Sequence, residues 1–485
     1  MSDSLKSKTV KGAVWSSIER FSVQGIQFLV MIMMARILTP ADYGLVGMLT
    51  IFLAISQSFI DSGFSQALIR KQDRSEIDNS TVFYFNIGVG ITLYLILFFC
   101  APLISEFYKE PKLTPITRAV GLSIVLNSLA VVQRALYTIN INFKTQAKAT
   151  LIGAISSGIV GIWMAYHGFG VWAIVTQQLT NLGLVTLCLW LFSKWRPILA
   201  FSKSSFKELF GFGSKLLASG LLNTIYNNLY LIVIGKFFRA SDLGYYTRAH
   251  QFANFASSNI AGILQRVSYP VLCTIQDDDM RLTNVYRRLL RISAYIIFPL
   301  MMIIAAIAQP MVITILTEKW IFAATLLVPL CFSQMWFPIH AINLNLLQVK
   351  GRSDLFLRLE IIKKIVGVSI ICITIPMGII AMCWGLVVDS IIALIINTYY
   401  TGKLIHHGFL KQMWELLPIF LLSLGTGFLV WISISMLSVS PLLQLIIGLG
   451  EGSIIYIVAS KLLRFNEFSE LLSIIRRKSY KYERK

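Results

Sequence analysis

Apolar residues run along this chain in long blocks, interrupted by short clusters of Lys, Arg, Pro and Gly. Fourteen blocks can be marked, at about 12–35, 43–66, 81–105, 115–138, 148–167, 169–193 and 210–236 in the first half. They continue at about 243–268, 289–315, 322–347, 358–376, 378–402, 413–437 and 441–462. Most are about 20–25 residues long, enough for a helix rising about 1.5 Å per residue to cross a hydrocarbon core roughly 30 Å thick. The blocks leave no room between them for a sizeable soluble domain. The pattern predicts an all-α polytopic membrane protein with about 14 transmembrane helices, because lipid leaves a spanning backbone no hydrogen-bond partner but itself.

The blocks are not equally apolar. The first carries Ser16, Arg20, Gln24 and Gln27 at helical spacing, with Glu19 alongside; the second adds Gln57, Ser58, Asp61 and Ser65. The seventh, "GLLNTIYNNLY", holds Asn223, Thr224, Asn227 and Asn228. The eighth holds Arg248, His250, Gln251, Asn254, Ser258, Asn259, Gln265 and Arg266. Blocks five and eleven read as nearly bare. Polar groups inside a bilayer are costly and by default face a cavity or a partner. Their concentration predicts that spans 1, 2, 7 and 8 face a shared water-filled cavity. For any single amide the alternative is hydrogen bonding between packed helices.

The charges need separate weighing. Arg20 reads either as the neutraliser of Glu19 or Asp61, or as a cationic cavity wall, since guanidinium grips phosphate through two parallel hydrogen bonds. Arg248 is its counterpart from the other half. Asp61 and Arg266 fall near a membrane interface, where side chains can snorkel, and Arg134 reads as structural. His340, Asp389 and Glu451 stand isolated in spans ten, twelve and fourteen, as weaker candidates for ion coupling.

A shift of 200 residues aligns "ARILTPADYG" (35–44) with "GKFFRASDLG" (235–244), pairing Arg36 with Lys236, Asp42 with Asp242 and Gly44 with Gly244. The same shift superposes Gln24 on Thr224 and Gln27 on Asn227. Six spans precede residue 200 and six follow it, a parallel repeat of the kind transporters use. The expected domains are a six-helix lobe over 1–200, a second over 201–402, an added helix pair over 403–462 and a basic amphipathic tail over 463–485. The stripe Leu463, Phe465, Phe468, Leu471, Leu472 and Ile475 suggests a helix lying on the inner leaflet.

Composition narrows the class further. Of 485 residues 56% are hydrophobic and 14% charged, against about 25% charged in soluble domains. The net charge is +20, but its placement argues against nucleic acid. About 32 of the 43 Lys and Arg fall in loops on the side of the termini and about 7 on the other. The positive-inside rule then puts both termini in the cytoplasm. The six Cys form no framework. No Walker A loop, HExxH or Cys/His metal spacing occurs, and "GLGEG" (448–452) reads as close helix packing within a span. An enzyme, a cofactor and a bound metal are therefore not expected.

Five strings carry a family resemblance: "ARILTPADYGLVG" (35–47), "DSGFSQALIRK" (61–71), "QRALYTININFK" (133–144), "QRVSYPVLCTIQDDDMRL" (265–282) and "TEKW" (317–320). Together they resemble the polysaccharide flippases of the multidrug/oligosaccharidyl-lipid/polysaccharide exporter superfamily, in particular the Wzx branch and its WzxC-type members. The resemblance implies two six-helix lobes around a central cavity. It also implies alternating access that moves an undecaprenyl-diphosphate-linked oligosaccharide from the cytoplasmic to the periplasmic leaflet of a bacterial inner membrane, for capsule, exopolysaccharide or O-antigen synthesis. A polysaccharide polymerase and a chain-length regulator are the partners it suggests, beside membrane lipids. Flippases of the superfamily use arginines in the first, second and eighth helices. Arg20 and Arg248 match the first and eighth, whereas the second offers Asp61. The sugar head would meet Gln24, Gln27, Asn223, Asn227 and Asn254. A cation-coupled drug or metabolite antiporter of the related MATE type is the rival, and would show a more apolar or acidic cavity.

Overall fold

The computed structural model describes Trp15, residues 22–61 and residues 63–473, and among these every regular element is helical. The chain divides into two compact units, Met1–Gly244 and Tyr245–Lys485. The first begins with α1 (Ser22–Ile37), α2 (Pro40–Asp61), α3 (Phe64–Arg70), α4 (Glu76–Tyr108) and α5 (Leu113–Ile139). It continues with α6 (Phe143–Tyr166), α7 (Val171–Phe192), α8 (Lys203–Asn227) and α9 (Leu229–Phe237), and holds the first turn of α10 (Ala240–Cys273). The second unit contains the rest of α10, then α11 (Asp279–Ala306), α12 (Ala308–Leu316), α13 (Ile321–Gln334) and α14 (Phe337–Val349). After these come α15 (Ser353–Thr374), α16 (Ile379–Ile405), α17 (Phe409–Met436), α18 (Pro441–Leu462) and a short α19 over 466–473.

Each predicted block contains helix, so the all-α polytopic class holds. Among the described residues, ten helical runs rather than fourteen are both long and apolar enough to cross a membrane. The described part of α1 is short, and α8 and α10 carry the polar residues noted above. The eleventh block is not bare: α15 holds Arg358, Glu360, Lys363 and Lys364, with Lys363 paired to Glu360.

Local signals set the helix ends. At α4, the Ser75 hydroxyl accepts from the Asp78 N–H at 3.3 Å while the Asp78 carboxylate accepts from the Ser75 N–H at 2.8 Å, a reciprocal capping box. The carboxylate half of this device marks both repeat segments. Asp42 Oδ2 accepts from the Thr39 N–H at 2.9 Å ahead of α2, and Asp242 Oδ2 accepts from the Arg239 N–H at 3.1 Å ahead of α10. The two helix starts cross each other reciprocally. A Cβ on Gly44 would lie 1.7 Å from the Ala240 carbonyl oxygen, and one on Gly244 would lie 1.9 Å from that of Pro40. Only a residue without Cβ permits that approach. The 200-residue shift is therefore a physical two-fold relation at this crossing, where each member of the aligned pair seats against the other segment.

In the first unit, α4 packs on α5, α6 on α7 and α5 on α7, while α2 lies against α5, α8 and α9. Phe64, Leu68, Val82, Phe83, Val132 and Leu209 form a buried cluster joining α3, α4, α5 and α8. The seventh apolar block thus packs with the helices that precede it. In the second unit, α11 packs on α17, α16 on α13 and α15, and α17 on α18. The "GLGEG" reading is met: a Cβ on Gly448 or Gly452 would come within 2.5 and 2.9 Å of Ile434 and Ile303 atoms.

The tail helix is placed by charge as well as by its apolar stripe. Glu467 and Glu470 of α19 pair with Arg291 and Arg288 of α11, and the Phe465 ring lies 6.3 Å from that of Tyr295. Ile475 falls outside the described residues.

Candidate functional site

Two populations of polar side chains occupy the spans, and they are arranged in opposite ways. The first is buried and mutually bonded. In the second unit, Tyr286 donates its hydroxyl to Asn343 Oδ1 at 2.7 Å, Thr401 donates to the same oxygen at 3.0 Å, and Gln412 Nε2 reaches the Tyr286 oxygen at 3.1 Å. Asn343 returns a bond to Gln412 Oε1 at 3.2 Å. The four side chains come from α11, α14, α16 and α17 and are wholly shielded. A neighbouring set joins His340 Nε2 to Ser390 at 3.0 Å and His340 Nδ1 to Asn397 at 3.2 Å. These groups hold helices together.

The second population is open. Gln27 on α1 and Asn223 and Asn227 on α8 are exposed, and Gln24 is half-buried. Asn227 ends α8; the helix breaks at Asn228, whose Nδ2 donates to the Thr224 carbonyl at 2.8 Å, and α9 begins at Leu229. The seventh span is thus interrupted for one residue at its polar stripe, while the Asn228 N–H still donates to the Thr224 carbonyl and its own carbonyl still accepts from the Ile232 N–H. Ser58 of α2 meets Thr224 of α8 at 3.0 Å, so polar stripes two and seven touch within the first unit.

Asp61 sits at the end of α2, exposed, with Gln57 hydrogen-bonded to it and the Arg134 guanidinium of α5 as its charge partner. Asn127 of α5 donates to Gln57 Oε1 at 2.8 Å, completing a chain across the two helices. Sequence reasoning passed over Gln57 as a partner of Asp61 and Asn127 as a partner of Gln57. The signal was there, since Gln57 and Asp61 are four apart on one helix and Asn127 and Arg134 seven apart on another, each pair on a single face.

Arg248, Asn254 and Arg266 belong to the second unit. Arg248 and Asn254 are half-buried, and Arg266 is exposed. Arg248 Nη1 donates to Gln251 Oε1 at 2.6 Å, which fixes the guanidinium along its own helix. Glu19 and Arg20 lie outside the described residues. Chemically, the open carboxamides of the first unit both donate and accept, which suits hydroxyl-rich ligands, and the Arg248 guanidinium of the second unit only donates, which suits anions.

An α-helical polytopic membrane protein with open amides in its predicted spans belongs to the transporter class, and sequence comparison makes the class specific. Residues 33–325, more than half of the chain, match the family of polysaccharide biosynthesis proteins, and the chain belongs to that family. It is 23% identical over 461 residues to the teichuronic acid biosynthesis protein TuaB of Bacillus subtilis (strain 168), covering 94% of this chain and 95% of the relative. It is 25% identical over 397 residues to the lipopolysaccharide biosynthesis protein WzxC of Escherichia coli (strain K12), covering 81% and 80%. Among solved structures, the lipid II flippase MurJ in an inward closed conformation superposes with a TM-score of 0.72 at 14% identity, covering 92% of this chain and 98% of that one. That likeness establishes the fold.

Proposed function

We propose that the protein is a flippase that carries a diphosphate-linked oligosaccharide on a polyprenyl lipid from the cytoplasmic to the periplasmic leaflet, for an extracellular polysaccharide. The observation that carries this reading is the open polar set: Gln27, Asn223 and Asn227 are exposed on helices that fall in the first and seventh predicted spans. In hydrocarbon each such amide would go unsatisfied at a cost of several kcal/mol, so they line water. Sugar hydroxyls then exchange hydrogen bonds with carboxamides rather than losing them. Arg20 and Arg248 take the diphosphate, and Gln24 and Asn254 add further contacts to the sugars. Asp61, within the field of Arg134, together with Glu19 and Arg266, adjusts the charge at the cavity mouth. Family membership and relatives named for teichuronic acid and lipopolysaccharide synthesis support the substrate class.

The lobes in this reading are 1–200 and 201–402, with 403–462 as an added pair, both termini in the cytoplasm and the inner membrane as the site. A polymerase and a chain-length regulator use the product. An anion moving outward down an inside-negative potential gains roughly 2.3 kcal/mol per charge per 100 mV, and a diphosphate with about two charges roughly double that. Voltage therefore supplies much of the drive.

Complementation of a flippase-null strain tests the reading. Wild type restores surface glycan, and the Arg20→Ala, Arg248→Ala double variant, present at normal level in the membrane, restores less than about a tenth of it. Normal export by the double variant overturns the site. Labelling of single cysteines at 167 and 404 with an impermeant reagent in intact cells reads the topology separately: position 167 reacts and 404 does not.

A further inference from the structure

Beside the loop between α16 and α17, at the end of the bundle that carries α19, a cavity of about 550 Å³ is lined by Arg287, His406, His407, Lys411, Trp414 and Glu415. It lies in the second unit and shares none of the residues assigned to the flipped substrate. We propose that this cavity is a binding site for the phosphate of an anionic phospholipid held at the inner leaflet.

Three observations carry the proposal. First, two nitrogen atoms on its walls are buried without a hydrogen-bond partner: Arg287 Nε and His407 Nε2. His407 is only 4% exposed, and its Nε2 stands 3.5 Å from Glu415 Oε2, beyond a hydrogen bond. Arg287 commits only its Nη2, to Glu415 Oε1 at 2.5 Å. His407 Nε2 donates or accepts according to its tautomer, whereas an Arg Nε–H is an obligatory donor and calls for an acceptor with several lone pairs. A phosphate oxygen is one.

Second, the electrostatics favour an anion. Glu415 is matched by Arg287, which leaves the Lys411 ammonium, donating at 2.9 Å to the His406 carbonyl, as surplus positive charge. The N-terminus of the 28-residue α17 opens at Phe409 on the same wall and adds its partial positive charge. Burial keeps the His407 imidazole below its ordinary value, Arg287 and Lys411 press the same way and Glu415 opposes. His407 therefore adds no second full charge to the wall.

Third, the flank tells lipid from free phosphate. Leu410 and Trp414, one turn apart on α17, are 80% and 78% exposed. An indole and an isobutyl group on the first turns of a membrane-crossing helix belong at the headgroup level, with the apolar bodies toward the acyl chains. A soluble phosphate has no use for them; a phospholipid covers them.

The proposal rests on the inner-leaflet orientation given above, but its test does not, because a micelle has no inside. Full-length protein in neutral detergent is offered an equal mixture of phosphatidylglycerol and phosphatidylcholine, and retained lipid is counted by native mass spectrometry. Phosphatidylglycerol should be retained in excess. The Lys411→Gln, His406→Gln variant should lower that excess about five-fold, the scale of one interfacial cation. Leu410→Ser with Trp414→Ser, at positions too exposed to disturb folding, should lower it as well. Inorganic phosphate added in excess should leave the lipid in place. Equal retention of the two lipids, no change in either variant, or displacement by inorganic phosphate would each overturn the proposal. The cysteine-labelling result reports on topology alone, so the two failures are distinguishable.

Discussion

Asn343 and Gln412 in the second unit, and Asn223 and Asn227 in the first, are the same residue types on apolar helices, yet they do opposite things. The first pair is buried and closes a ring of bonds with Tyr286 and Thr401. The second pair is exposed, at the point where α8 gives way to α9. An amide inside a membrane protein has two affordable states, mated to another side chain or facing water. Residue identity and helical spacing do not choose between them. The choice depends on whether a neighbouring helix brings a complementary group to the same depth.

That contrast can be broken experimentally. The largest expected effect on stability is Gln412→Leu, which strips donors from the Tyr286 oxygen, Asn343 Oδ1 and the His407 carbonyl in one step. The Tyr286 hydroxyl and Asn343 Oδ1 keep their bond to each other, but the His407 carbonyl loses its donor. A buried group left unsatisfied costs about 1–3 kcal/mol, so the melting midpoint of purified protein should drop by several degrees. Transport per folded molecule should be nearly unchanged. The Asn223→Leu, Asn227→Leu double variant should do the reverse: a melting midpoint close to wild type, but glycan export reduced several-fold in the complementation assay. Equal melting losses in both variants would erase the distinction between mated and open amides.

A smaller effect sharpens the boundary between the core network and the basic cavity beside it, since His407 touches both. Its carbonyl accepts from Gln412 at 2.9 Å and its ring lies 6.2 Å from that of Tyr286, while the residue also lines the cavity. Burial depresses its protonation in the folded state. The unfolded chain then binds the extra proton more readily, so stability is complete above the unfolded value of about 6.5 and falls as pH drops through it. Melting midpoints at about pH 7.5 and about pH 5.5 should differ less in His407→Gln than in wild type. An unchanged difference would show that the imidazole does not feel its burial.

Much of this molecule was legible from residue order alone. Long apolar blocks admit only helices in a bilayer, so the all-α polytopic class followed from their length. The 200-residue shift picked out Gly44 and Gly244, and the close reciprocal approach of their helix starts explains why neither carries a side chain. Other features were beyond sequence. The Arg288–Glu470 and Arg291–Glu467 pairs that seat α19 join residues more than 170 positions apart, and no local pattern links them. Asn127 met Gln57, and Arg134 came near Asp61, only when α5 came to lie beside α2.

The sequence by itself determined what each segment costs to place in lipid, and therefore which segments are helices and roughly where they begin. Hydrophobic length, capping residues and glycine are local properties, read one helix at a time. Only the tertiary structure decided which polar groups find one another, because hydrogen bonds and ion pairs depend on distances of about 3 Å between helices. Those distances are set by packing across the whole unit. Whether an amide is mortar or part of a passage is therefore settled by its neighbours.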